Sequence, residues 1–246
     1  MFDRRQALAC LSLAWTGTLA LAEPAAPGQV PELSKAGLGT AVADGWRHQT
    51  LPKVERNNDF AIVADDGSHV LKVHSSSSAS SWLARVEIDS AQKPLLQWRW
   101  KVSRSLAGSD LRTKQGDDYA ARLYVLFDLP PERLSLADRL RIQTARLLSG
   151  AEIPAAAICY VWGHAQAVGS SAWNPYTDRV RMIVVDSGDG HAMQWRNISR
   201  NVRTDWAEAF GGEVPRIRGI AVGSDTDNTR DSVDTWFGDV RFAQTP

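Results

Sequence analysis

Residues 116–127 read Gly116-Asp117-Asp118-Tyr119-Ala120-Ala121-Arg122-Leu123-Tyr124-Val125-Leu126-Phe127. A β-strand sends successive side chains to opposite faces, and this run divides into two chemically unlike sets. Leu123, Val125 and Phe127 share one face and read as core. Asp118, Ala120, Arg122 and Tyr124 share the other, which offers charge-assisted hydrogen bonds and an aromatic surface to a polar ligand. An Arg122–Asp ion pair closing an exposed sheet face is the plainer reading of the same residues.

Outward from this strand the punctuation is that of an all-β chain. Phe60–Ala64, Val70–His74, Trp82–Ile88, Leu95–Val102, Tyr119–Phe127, Ala156–Trp162, Val180–Val185, Ile217–Val222 and Thr235–Phe242 are short apolar or alternating runs between Gly, Ser, Asp and Pro clusters. Their number and spacing predict a jelly-roll-like, two-sheet β-sandwich over residues 40–244, with Ile183, Val185, Ile220 and Val222 joining the core. Leu136, Leu140, Ala145 and Leu148 recur at helical spacing behind Ser135, which predicts an inserted helix over 135–148. A short helix near 204–210 is expected to carry Trp206 and Phe210 on one face and to stop at Gly211-Gly212. The tract Ser75–Ser78, with Ser80 and Ser81, reads as a polar loop.

The 246 residues carry 28 basic and 28 acidic side chains, so no broad positive field draws in nucleic acid. Residues 1–22 have the build of a signal peptide: Arg4 and Arg5, an apolar run from Ala7 to Ala22, and small residues at Ala20 and Ala22. Cleavage is expected before Glu23, giving a periplasmic or secreted protein with no retained membrane anchor and a Pro-rich segment over 23–39. The Arg pair also resembles a twin-arginine signal. Cleavage takes Cys10 away and leaves Cys159 alone, in an apolar run where a buried, inert thiol is expected.

A second acidic run, Asp225-Thr226-Asp227-Asn228-Thr229, follows the Ile217–Val222 strand. Clustered oxygens can hold a hard cation such as calcium, but the spacing is not that of an EF-hand. A turn in which Asp and Asn bond their own backbone is the favoured reading, so no cofactor or metal is expected, with calcium as the alternative. The two acidic segments, Asp117-Asp118 and Asp225-Thr226-Asp227-Asn228, are expected to meet in space because both sit at strand ends, which would gather Asp117, Asp225, Asp227 and Asn228 into one acidic cluster. Trp98 and Trp100 alternate with Gln97, Arg99 and Lys101 and read as core. Trp173-Asn174-Pro175-Tyr176 reads as a loop, where flat rings suit a sugar face. The five His show no close metal-ligand spacing, and no GxSxG, P-loop or GxGxxG is present.

Trp98-Arg99-Trp100-Lys101-Val102, Gly116-Asp117-Asp118-Tyr119 with Arg122, Tyr160-Val161-Trp162-Gly163, Asn174-Pro175-Tyr176-Thr177, Arg200-Asn201-Val202 and Asp225–Thr229 together resemble an uncharacterised bacterial secreted family, domain of unknown function 3047. The resemblance spans about Trp46 to Phe242 and implies no established activity. The ending Trp236-Phe237-Gly238-Asp239-Val240-Arg241-Phe242 is similar to the last strand of jelly-roll carbohydrate-binding modules, an analogy of fold alone. The leading expectation is a non-catalytic carbohydrate-binding module with Asp118, Arg122, Tyr124, Trp162, Trp173, Asn174 and Tyr176 at the site. The alternative is a polysaccharide-cleaving or -modifying enzyme in the same groove, with Asp117, Asp118 or Asp225 as acid and base and Arg122 steadying negative charge.

Overall fold

The computed structural model describes residues 28–51, 54–129 and 155–244. Twelve strands form two sheets: β1 (Trp46–Thr50), β2 (Asp59–Asp65), β3 (Ser68–Ser76), β4 (Ala79–Ile88), β5 (Leu95–Val102), β6 (Tyr119–Phe127), β7 (Ala156–Gly163), β8 (Ser171–Trp173), β9 (Val180–Ser187), β10 (Arg196–Asn201), β11 (Ile217–Asp225) and β12 (Ser232–Ala243). One sheet has seven strands in the order β1-β4-β11-β6-β7-β9-β8, and the other has five in the order β10-β5-β12-β3-β2. Among the described residues only β7 and β9 pair in parallel; the remaining ladders are antiparallel. This is a jelly-roll-like β-sandwich.

All nine strands expected from the apolar pattern are present. The three not foreseen, β1, β8 and β10, are sheet edges, where one or both faces stay wet and the hydrophobic signal fades. The expected helix over 135–148 and the signal peptide lie outside the described residues. The short helix α1 spans Val202–Ala209, two residues ahead of the expected start, because the Asn201 side chain accepts from the N–H groups of Arg203 and Thr204 and caps it there. Trp206 and Phe210 stack at 4.3 Å, and Gly211, at φ +67°, turns the chain out of the helix.

The core lies between the sheets. Leu123, Val125, Phe127, Ile183, Val185, Ile220 and Val222 are all buried there, together with Trp98 and Trp100, which meet edge to face at 5.4 Å. Each such side chain contributes about 1.5–3 kcal/mol on leaving water. The indole N–H groups of Trp82, Trp98 and Trp100 have no acceptor among the described residues, at a cost of about 1–3 kcal/mol each that the large ring area offsets. A second, smaller cluster of Leu111, Tyr119, Cys159, Val161, Met182 and Val184 occupies the outer face of the seven-stranded sheet.

The serine tract is a buried crossing between sheets and not a polar loop. Ser75 and Ser76 end β3, Ser80 and Ser81 belong to β4, and the turn needs only Ser77, at φ +47°, and Ser78. Asn58 stitches it: its N–H donates to Ser80 Oγ, and Nδ2 donates to the carbonyls of Ser80 and Ser224. Ser78 Oγ donates to Asn58 Oδ1, and Ser75 Oγ lies 2.8 Å from Thr226 Oγ1. Hydroxyls that hydrogen-bond one another can be buried at little cost, which a composition reading cannot detect.

Candidate functional site

The two acidic segments meet on the outer face of the seven-stranded sheet. β6 and β11 are neighbours, Tyr119 pairs with Asp225, and a bulge between Gly223 and Asp225 adjusts the register there. Gly223 is required: a Cβ would lie 2.5 Å from the Ser80 carbonyl oxygen. Asp118, which precedes β6, is fully buried and is held by the loop after β11. Its Oδ2 accepts from Thr229 N–H and Oγ1–H, both at 2.6 Å, and its Oδ1 accepts from Asn228 Nδ2 at 3.0 Å and N–H at 3.4 Å.

Arg122 projects from the middle of β6 between the other carboxylates. Its Nη2 lies 3.0 Å from Asp117 Oδ1 and 3.1 Å from Asp225 Oδ2, and it also donates to the Asp117 carbonyl, while Nη1 donates to Tyr124 Oη at 3.1 Å. The group is only 4% exposed. Burial disfavours its charge, yet Asp117, Tyr124 and Asp225 outweigh that and hold the guanidinium protonated. Burial pushes the Asp225 carboxyl well above the usual carboxylate range, against the pull of Arg122 and with the push of Asp227 and Asp118. The ion pair foreseen as the plainer reading of β6 is therefore present. The remaining Asp117 oxygen, Oδ2, accepts from Asn174 Nδ2 at 2.8 Å, which ties the β8–β9 loop to the network.

The exposed rings lie at and beside that loop: Tyr176 is within it, while Trp173, expected in the loop, is the last residue of β8 and pairs with Arg181. Tyr176 is 57% and Trp173 37% exposed, and no other Trp, Tyr or Phe among the described residues is exposed to that degree. Asn174 Oδ1 accepts from the Tyr176 N–H and folds the loop into an Asx turn. Tyr176 Oη reaches Asn228 Oδ1 at 3.4 Å and the Lys114 carbonyl at 3.3 Å, while Lys114 Nζ stands 5.1 Å from the ring centre. Burial, then the carboxylates of Asp117, Asp227, Asp225 and Asp118, raise the Tyr176 phenol above its ordinary value, so the cluster's negative field reaches the surface.

The structure thus brings together Asp117, Asp118, Arg122, Tyr124, Asn174, Tyr176, Asp225, Asp227 and Asn228. Trp162 stands apart: it is fully buried, packs 6.0 Å from Trp100 and donates Nε1–H to the Gly188 carbonyl. Trp173 turns its ring to the edge of Phe210, with Arg181 above it at 5.2 Å. Lys114 and Thr229 are site residues that sequence reasoning missed. Thr229 had a signal, since a Thr closing an Asp-Asn turn offers both N–H and hydroxyl to a carboxylate.

Ser105, His164 and Asp189 also meet, with Ser105 Oγ 2.7 Å from His164 Nδ1 and 2.8 Å from Asp189 Oδ1. A nucleophilic triad sets histidine between serine and aspartate. Here the serine is in the middle and its N–H also donates to Asp189 at 2.6 Å, so the trio clamps the loop after β5. Cys159 is fully buried, and burial pushes its thiol up to about 12, against Arg122.

Residues 44–241 match the family described as Protein of unknown function (DUF3047). The chain belongs to this family. No match is found among curated proteins. The DUF3047 chain is similar to the family 30 carbohydrate-binding module of a cellulosomal cellulase of Clostridium thermocellum, with 12% identity and a TM-score of 0.41 over 87% of this chain and 96% of that one. It is also similar to a family 12 xyloglucanase from Bacillus licheniformis, with 9% identity and a TM-score of 0.44 over 89% of this chain and 99% of that one. At these scores neither likeness bears on ligand or chemistry; the sandwich of this DUF3047 member rests on its own strand pairing. No helix among the described residues is long and apolar enough to cross a membrane.

Proposed function

We propose that this DUF3047 protein is an exported, non-catalytic carbohydrate-binding module whose ligand lies against the β8–β9 loop. The observation that carries the reading is the pair of exposed rings, Trp173 and Tyr176, on either side of Asn174-Pro175. Tyr176 leaves more than half of its surface in water, and Trp173 over a third despite Phe210 and Arg181, which forfeits burial that most other rings among the described residues take. A sugar's C–H face covers such a ring, while Asn228, Asn174 and the Lys114 backbone supply polar partners at its edge. The buried Asp117–Arg122–Asp225 network serves as the support that fixes Asn174 and hence the loop.

A hydrolytic reading needs two carboxylates about 5–9.5 Å apart facing a cleft, in contrasted environments. Asp117 and Asp225 turn to Arg122, Asp117 turns also to Asn174, and Asp118 is buried and held by Asn228 and Thr229, so no two of them face an open cleft as acid and base. Binding is therefore the better-supported reading. Affinity electrophoresis across neutral, acidic and amino-sugar polysaccharides tests it: retardation by at least one polysaccharide, with no release of reducing ends, is the expected result. Release of reducing ends would favour the enzyme.

A further inference from the structure

We propose that Asp118, Asp225 and Asp227 form a binding site for one calcium ion, which locks the loop after β11 onto the start of β6. One carboxylate oxygen from each of the three lies within 4.8 Å of the others. Calcium takes oxygen ligands at about 2.3–2.6 Å, so ligands across its shell stand roughly 5 Å apart, and an irregular, partly protein-built shell suits it better than the strict octahedron of magnesium.

Clustering of acids alone is common, but Asp225 adds a separate observation. The residue is 9% exposed, its Oδ1 is buried with no donor in reach, and beside it stands the Asp227 carboxyl, with which Asp225 can bond only through a shared proton or a cation. Arg122 does not meet this need, because it engages the other oxygen, Oδ2, and divides its donors with Asp117 and Tyr124. A buried carboxylate oxygen left without donor or cation costs about 1–3 kcal/mol or more. Crowding points the same way: Arg122 pairs with Asp117 and Asp225, and the carboxyl groups of Asp118 and Asp227 stand beside Asp225 as well.

The surroundings suit a hard cation. Asp118 is pre-oriented by Thr229 through Oδ2, while its Oδ1 has only the longer contacts with Asn228 and keeps lone-pair capacity toward the cluster. Asp227 is half-buried at the rim, so the cluster meets solvent on that side. Asn228, next in sequence to Asp227, carries the oxygen that Tyr176 reaches, so cation binding would also steady the aromatic loop.

Terbium(III), a luminescent stand-in for calcium, tests the site on the full chain, with thermal melts in about 5 mM calcium or chelator, above the roughly 10⁻⁴–10⁻³ M range of extracellular sites. The expected results are sensitised terbium emission displaced by calcium, a melting temperature raised by calcium, and about a tenfold or greater loss of affinity in Asp227→Asn. Asp66→Asn, an exposed acid elsewhere, should match the wild type. Asp227 lies at the rim, so its variant is expected to fold, and terbium binding by the wild type decides the matter even if it does not. No emission and no calcium shift in the wild type would overturn the proposal. So would a calcium shift equal in Asp227→Asn, or a melting temperature blind to calcium that rises on acidification, which would show a shared proton in place of the ion.

Discussion

Asp118 accepts both the N–H and the hydroxyl of Thr229, each at 2.6 Å, and so joins two residues 111 positions apart in the chain. The carboxylate acts as a clasp: it satisfies donors of the loop after β11 and seats that loop on the entry to β6. Gly108 belongs to the same contact, since a Cβ there would stand 2.7 Å from the Thr229 methyl group.

Thr229→Val removes one of the two bonds and keeps the N–H donor, so it should cost about 1.5–3 kcal/mol in urea unfolding. Asp118→Ala should cost more, about 3–5 kcal/mol, because the donors of Asn228 and Thr229 lose their charged acceptor together. Equal costs for the two variants would contradict the clasp.

Arg122→Met should destabilise by about 3–5 kcal/mol at neutral pH, because Asp117 and Asp225 lose their buried counter-charge. Arg122→Lys should recover only part of this, since one ammonium cannot reproduce a fork that serves Asp117, Asp225 and Tyr124 at once. Full rescue by lysine would show that charge alone matters there.

With its thiol held up at about 12, Cys159 should resist alkylation in the folded protein at about pH 8, where roughly one thiol in ten thousand is ionised. Mass spectrometry of the Cys159 peptide should show modification only after denaturant is added. Rapid labelling of native protein would mean that the outer face of the sheet opens.

Asp189 has its carboxyl lowered, chiefly by the Ser105 N–H and then by the Ser105 hydroxyl. A depressed folded value contributes stability that is complete above the unfolded value of about 3.9 and fades as pH falls through the folded one. The stability gap between wild type and Asp189→Asn should therefore be steady near neutrality and close below about pH 4. Asp189 is mostly in contact with solvent, so the gap should be small.

The apolar period of two in β5, β6 and β12 made the sandwich legible, because a strand buried on one face must alternate. Edge strands such as β10, Arg196–Asn201, carry no such period and depend on a neighbour already in place. Two strand-end acidic runs were enough to foresee that Asp117-Asp118 and Asp225–Asn228 meet. What distinguishes Trp162 from Trp173 is burial between sheets, which a list of aromatics does not contain. Nor could the sequence show that Arg122 pairs with Asp117 and Asp225 at once, since that depends on the bulge beside Gly223.

The central claim is that the exposed rings of Trp173 and Tyr176, at and beside the β8–β9 loop, hold a sugar. The direct measurement is the retardation of wild type, Tyr176→Ala, Trp173→Ala and the double variant in gels cast with the polysaccharide that retards the wild type most. Each stacked ring should be worth about 0.5–1.5 kcal/mol beyond its area, so each single variant should bind several-fold more weakly and the double variant should migrate as in a blank gel. Unchanged retardation of a folded double variant would contradict the account.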